Sequence, residues 1–157
     1  MRLQGKTALV TGAGGGIGGA IARQFAGEGA SLMCTDIDIV ASEATVRAIT
    51  AAGGTAVAMK ADVGIPADCE AQVEETVRQF KRIDIVVNNA GISLHKLAPE
   101  VNLDEWERIL RVNLTGSFLT AQAAARHMVN QGGGANYSAR LNIRSTSQHG
   151  WSNLWRV

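Results

Sequence analysis

The sequence predicts an α/β fold, a doubly wound parallel sheet that is incomplete at its C-terminal side. Three observations carry this. Short apolar runs alternate four times with segments of helical spacing. A glycine cluster separates the first apolar run from the first helical segment. Each apolar run closes on polar or small residues of the kind that face a ligand at a strand's C-terminal end.

Thr7 to Thr11 is an apolar run that reads as a buried parallel strand. Ile17 to Gly29 follows with helical spacing, Ile17, Ile21 and Phe25 lying four apart. Ala30 to Thr35 is a second buried strand, closed by Asp36. Val40 to Ala52 is helical, with Gly53-Gly54 as its stop. Thr55 to Ala61 is strand three. Pro66 to Arg82 is a helix with Val73, Val77 and Phe80 on one face. Ile83 to Val87 is strand four, ended by Asn88-Asn89-Ala90-Gly91. Leu103 to Asn130 reads as one long helix with Asp104 and Glu105 in its first turn, where the helix dipole favours acids. Right-handed crossovers then bring all four strand ends to one edge.

Composition bounds the function. A chain of 157 residues fits one domain, and a net charge of +1 gives no electrostatic case for nucleic acid or membrane. No apolar run has membrane-spanning length, and no signal peptide precedes the first strand. The expectation is a cytoplasmic protein, with Cys34 a buried free thiol. No residue is assigned to a metal. His95 and His127 read as a loop and a helix surface position.

Thr11-Gly12-Ala13-Gly14-Gly15-Gly16-Ile17-Gly18 stands between strand and helix. Glycines there let the backbone turn and approach a pyrophosphate, while the helix N-terminus offers free N–H groups. Asp36 can accept hydrogen bonds from both hydroxyls of an adenosine ribose, and a cap for the next helix is a compatible role. Its charge opposes a 2′-phosphate, and Ile37 and Gly15 supply no cation, so NAD is favoured over NADP. Asp62 and Val63 can hold an adenine amino group and edge. The amides of Asn88 and Asn89 can tie strand ends together, while Ala90 and Gly91 leave room for a cofactor.

These residues, with Asn113 in Arg111-Val112-Asn113-Leu114, resemble the short-chain dehydrogenase/reductase family from about Leu3 to Gly134. The resemblance implies a Rossmann fold, NAD as cofactor, and a small alcohol or ketone substrate. It makes Asn113 the catalytic-site match, an anchor for a water in a proton relay. It also implies a homo-oligomer, the long helix with Leu110, Leu114, Phe118 and Ala121 packing on the sheet and against a partner subunit.

The family's chemistry also needs a tyrosine, a lysine four residues later, and a serine on the preceding strand end. No lysine follows Lys96, and Leu141 stands four after Tyr137, the sole tyrosine. Residues 1–134 thus read as the NAD-binding portion. Residues 135–157 read as an aberrant tail, disordered or out of frame: it has no acidic residue, no strand or helix period, and two of the three tryptophans, Trp151 and Trp155. Ser145 and Ser147 belong to this tail. Read one base later, its degenerate codons permit an apolar pair followed by Val-Ser-Thr-Ser-Gly, which resembles the family's fifth strand and serine. The expectation is a catalytically incomplete product; a non-catalytic dinucleotide-binding or subunit-interaction module is the other reading.

Overall fold

The computed structural model describes residues 1–132 and the backbone of residues 136–139. Five parallel strands run β1 (Thr7–Thr11), β2 (Ser31–Asp36), β3 (Thr55–Lys60), β4 (Ile85–Asn88) and β5 (Asn136–Ala139), in spatial order β3-β2-β1-β4-β5. The order reverses between β1 and β4, which opens a crevice at their C-terminal ends.

Side chains alternate between two apolar layers, as a pleated strand requires. Ala8, Val10, Leu32, Cys34, Ile85 and Val87 face one layer with Ala22 of α1 (Gly16–Gly27) and Ile49 of α2 (Ile39–Ala51). Leu9, Met33 and Val86 face the other, with Val73 of α3 (Pro66–Phe80) and Ala123, Ala124 and Met128 of α5 (Gly116–Asn130). Both sheet faces are covered, so the central strands are apolar along their length rather than alternating.

The predicted long helix is interrupted. α4 (Leu103–Leu110) passes through a π-helical turn, Arg111–Thr115, into α5. Such turns insert one residue into a helix and re-aim its face. Gly116 explains the tight packing just beyond: a Cβ there would lie far inside contact with the Val63 carbonyl. The inward face of α5 is Ser117, Thr120, Ala123, Ala124 and Met128, whereas Leu114 and Phe118 are exposed. Ile17 is likewise exposed, and α1 buries Gly18, Gly19 and Ala22 instead.

Carboxamides lash this helix to both ends of the β4 segment. Gln131 Nε2 donates to the Ile83 carbonyl (3.0 Å) and its Oε1 accepts the Ile83 N–H (3.1 Å). Asn113 makes the same pair of bonds to Ile92, both 2.8 Å. A buried amide link, Thr35 Oγ1 to Gln72 Oε1 (2.7 Å) and Gln72 Nε2 to Thr120 Oγ1 (3.0 Å), joins β2, α3 and α5. These bonds offset the cost of burying polar groups this deep.

The sequence shows no strand in residues 136–139, yet their backbone extends the sheet, Tyr137 opposite Val86. Pairing with the edge of β4 supplies the hydrogen bonds, so side-chain periodicity is not needed to define it. The remaining tail residues lie outside those described.

Cys34 is a fully buried free thiol, and burial pushes its pKa from 9.0 to about 12. An unfolded chain loses this proton above about pH 9, while the folded chain keeps it. The group's contribution to stability is therefore complete below pH 9 and declines as pH rises toward 12, by about 1.4 kcal/mol per pH unit. Urea unfolding between pH 8 and 11 should show this slope, and Cys34→Ala should reduce it. An unchanged slope in that variant would refute the assignment.

Candidate functional site

The site is built where β1 and β4 end side by side. Thr11 Oγ1 accepts the N–H groups of Asn89 (3.1 Å) and Ala90 (3.0 Å) and donates to the Val87 carbonyl (3.4 Å). Asn89 Nδ2 returns the link, donating to the carbonyls of Thr11 (3.0 Å) and Gly12 (3.1 Å). One threonine and one asparagine thus hold the first turn against the end of β4. Asn88 does not share this work. Its side chain is buried, and among the described residues neither Nδ2 nor Oδ1 has a hydrogen-bond partner.

Glycine is required at two points of the turn for different reasons. Gly12 has φ 65°, and a Cβ there would stand 2.9 Å from the Ala90 Cα. Gly18 lies beneath it in α1, where a Cβ would collide with the Gly12 carbonyl and approach Asn89 Nδ2 to 2.5 Å. Gly16 has φ 52° and open space around it. α1 begins there with no side-chain cap at Gly15 and no acid in its first turn, leaving its N–H groups available to an anion.

Asp36 Oδ2 accepts the Gly14 N–H (2.8 Å) and Oδ1 the Asp38 N–H (3.0 Å). The cap of α2 is Asp38, whose carboxylate accepts from Val40 and Ala41. The helix-cap reading for Asp36 is thereby corrected: the cap lies two residues later at Asp38, so Asp36 stays at the strand end. With one N–H on each oxygen, its carboxylate keeps lone pairs for further donors. Asp62 Oδ1 accepts the Gly64 N–H (2.8 Å), and its own N–H bonds Asp68 (2.8 Å).

Gly12, Asp36, Asp62, Val63, Asn89 and Ala90 line one cavity of about 510 Å³, which also includes Gly91. Thr11 and Gly18 buttress its wall from behind, and Asn113 fixes the chain at Ile92, another lining residue. All four strand-end motifs converge, as parallel crossovers require. Sequence reasoning missed Arg108, Arg111 and Val112, which form the facing wall. Their signal was weak, because they stand in α4 and the π turn, away from any strand end. Among the described residues no cluster of His, Cys, Asp or Glu could hold a metal ion, and no helix is long and apolar enough to cross a membrane.

Residues 6–137 match the short chain dehydrogenase family. This chain belongs to that family. It is 37% identical over 150 residues to D-threitol dehydrogenase of Mycolicibacterium smegmatis, covering 94% of this chain and 58% of that one. Glucose 1-dehydrogenase 2 of Bacillus subtilis is 37% identical over 148 residues, 93% of this chain and 56% of the relative. A short chain dehydrogenase from Burkholderia cenocepacia J2315, solved in complex with NADP, superposes with a TM-score of 0.78 at 40% identity, covering 81% of this chain and 52% of that structure. The chain spans somewhat over half the length of these relatives.

Proposed function

We propose that this cleft binds NAD, and that the chain is the dinucleotide-binding portion of an NAD-dependent oxidoreductase acting on an alcohol or ketone. The observation that carries the reading is the convergence of Gly12, Asp36, Asp62 and Ala90 on one cavity. The residues fit the cofactor. The uncapped N-terminus of α1 suits a pyrophosphate, and Gly12 clears its approach where a Cβ would strike Ala90. Asp36 would take the adenosine ribose, and Asp62 and Val63 the adenine. Ala90 and Gly91 leave space at the other end. When bound, a nicotinamide supplies two-electron chemistry toward a carbonyl or carbinol carbon. Asn113 holds the Ile92 backbone beside the cleft and would position the relay water there. Relatives named for a polyol and a sugar support the alcohol class.

Calorimetric titration of the chain should show NAD binding at least about tenfold more tightly than NADP, since Asp36 opposes the 2′-phosphate. Asp36→Asn should narrow the gap. Equal or tighter NADP binding would overturn the cofactor assignment.

A non-catalytic dinucleotide-binding module has one observation in its favour. No tyrosine-x-x-x-lysine pair exists in the sequence, and Tyr137 lies on a strand, not the helix that would bring the two together. Our reading assigns this to a reading-frame change near Ala135. The gene's nucleotide sequence tests it: a tyrosine–lysine helix encoded in another frame downstream supports the enzyme parent, and its absence favours the module.

A further inference from the structure

We infer that Arg108 and Arg111 form a guanidinium wall that stacks on the purine of the bound dinucleotide and sets its affinity for the adenosine half. The inference rests on the cofactor reading above. Both residues line the cavity that holds Asp36, Asp62 and Val63, and both are exposed to solvent on its open side. They stand three residues apart, one in the last turn of α4 and one opening the π turn, so they are neighbours along the helix surface.

Their lack of partners is informative. Asp104 and Glu107 lie four residues before Arg108 and Arg111, the orientation that favours helical ion pairs. Neither pair forms, and neither guanidinium is hydrogen-bonded or ion-paired among the described residues. Glu105 is already held by Lys96. The carboxylates across the cleft accept backbone N–H groups, Asp36 from Gly14 and Asp38 and Asp62 from Gly64, and neither draws an arginine to itself.

The chemistry then selects the ligand part. Pyrophosphate belongs at the N-terminus of α1, on the β1 side of the cavity. Val63 and Val112 supply apolar surface beside the arginines. A flat, weakly hydrated cation next to apolar walls suits an aromatic face, and arginine does this better than lysine.

Titration of the whole chain with ADP-ribose, adenosine monophosphate and nicotinamide mononucleotide tests this. In the double variant Arg108→Ala/Arg111→Ala, affinity for ADP-ribose and adenosine monophosphate should fall about tenfold or more, the scale of two cation–π contacts. Nicotinamide mononucleotide should be unaffected. The double lysine variant should recover little, because charge alone is restored. Wild-type affinity in the alanine variant, an equal loss for nicotinamide mononucleotide, or full rescue by lysine would each overturn the inference. Failure of the unmodified chain to bind ADP-ribose would instead refute the cofactor reading itself. Circular dichroism confirms that each variant is folded.

Discussion

The 157-residue chain is expected to turn over secondary alcohols with NAD at least about 10²–10⁴-fold more slowly than a version carrying, after Gly134, the alternative-frame sequence proposed above. Reducing a ketone requires a proton at its oxygen, and oxidising an alcohol requires one removed. A phenol does this near neutral pH only when a nearby cation favours phenolate. Tyr137 has Leu141 four residues on, and Arg140 is offset by one position on the chain. The β5 backbone at Tyr137 is paired with Val86 in the body of the sheet, behind the strand end where the cleft opens. Asn113 cannot replace the acid, since a carboxamide gives up no proton and its two polar atoms already bond Ile92.

The measurement is NADH absorbance with a panel of secondary alcohols, both chains at equal concentration. Binding is measured in parallel, because proximity alone would still operate in a chain that binds without turning over. Comparable rates from the two chains would show that residues after Gly134 supply a base by another route. A chain that binds NAD without turnover would fit the incomplete-enzyme reading.

Local pattern carried the fold and the near side of the cleft. β1, β2 and β4 are short apolar runs buried on both faces, so their signal survives without any knowledge of neighbours. The glycine turn was visible because backbone geometry leaves a composition mark: Gly12 and Gly16 adopt positive φ, and Gly18 has no room for a Cβ. Where roles depend on which atom meets which, residue types were not enough. Asn88 and Asn89 are identical in sequence terms, yet only Asn89 reaches Thr11 and Gly12. Asp36 and Asp38 both precede a helix, and only hydrogen-bond geometry shows that Asp38 is the cap. Ile17 kept helical spacing while facing outward, because two glycines and an alanine let α1 approach the sheet on another face. The π turn was hidden in continuous helical sequence, as was the link from Thr35 through Gln72 to Thr120, whose members lie 37 and 48 positions apart.

Gly18→Ala is expected to lose dinucleotide binding and about 1–3 kcal/mol of stability, the usual cost of overpacking. The added methyl would collide with the Gly12 carbonyl oxygen and lie 2.5 Å from Asn89 Nδ2. Neither atom can retreat cheaply. The Gly12 carbonyl belongs to a turn held at φ 65°, and Asn89 Nδ2 bonds that same carbonyl and that of Thr11. Relief therefore requires α1 to move off the end of β1, carrying its uncapped N–H groups away from the cleft. Gly15→Ala provides the contrast, since Gly15 is extended at φ 175° and a methyl there would meet no atom within 4 Å. Gly16→Ala falls between them: space is open, but φ 52° costs roughly 1 kcal/mol for a residue with a Cβ. Urea unfolding and NADH fluorescence titration of the three variants should rank the damage Gly18, Gly16, Gly15. Near-native NADH affinity in Gly18→Ala, or equal damage from Gly15→Ala, would show that close contact between α1 and the first turn does not set the geometry of the cleft.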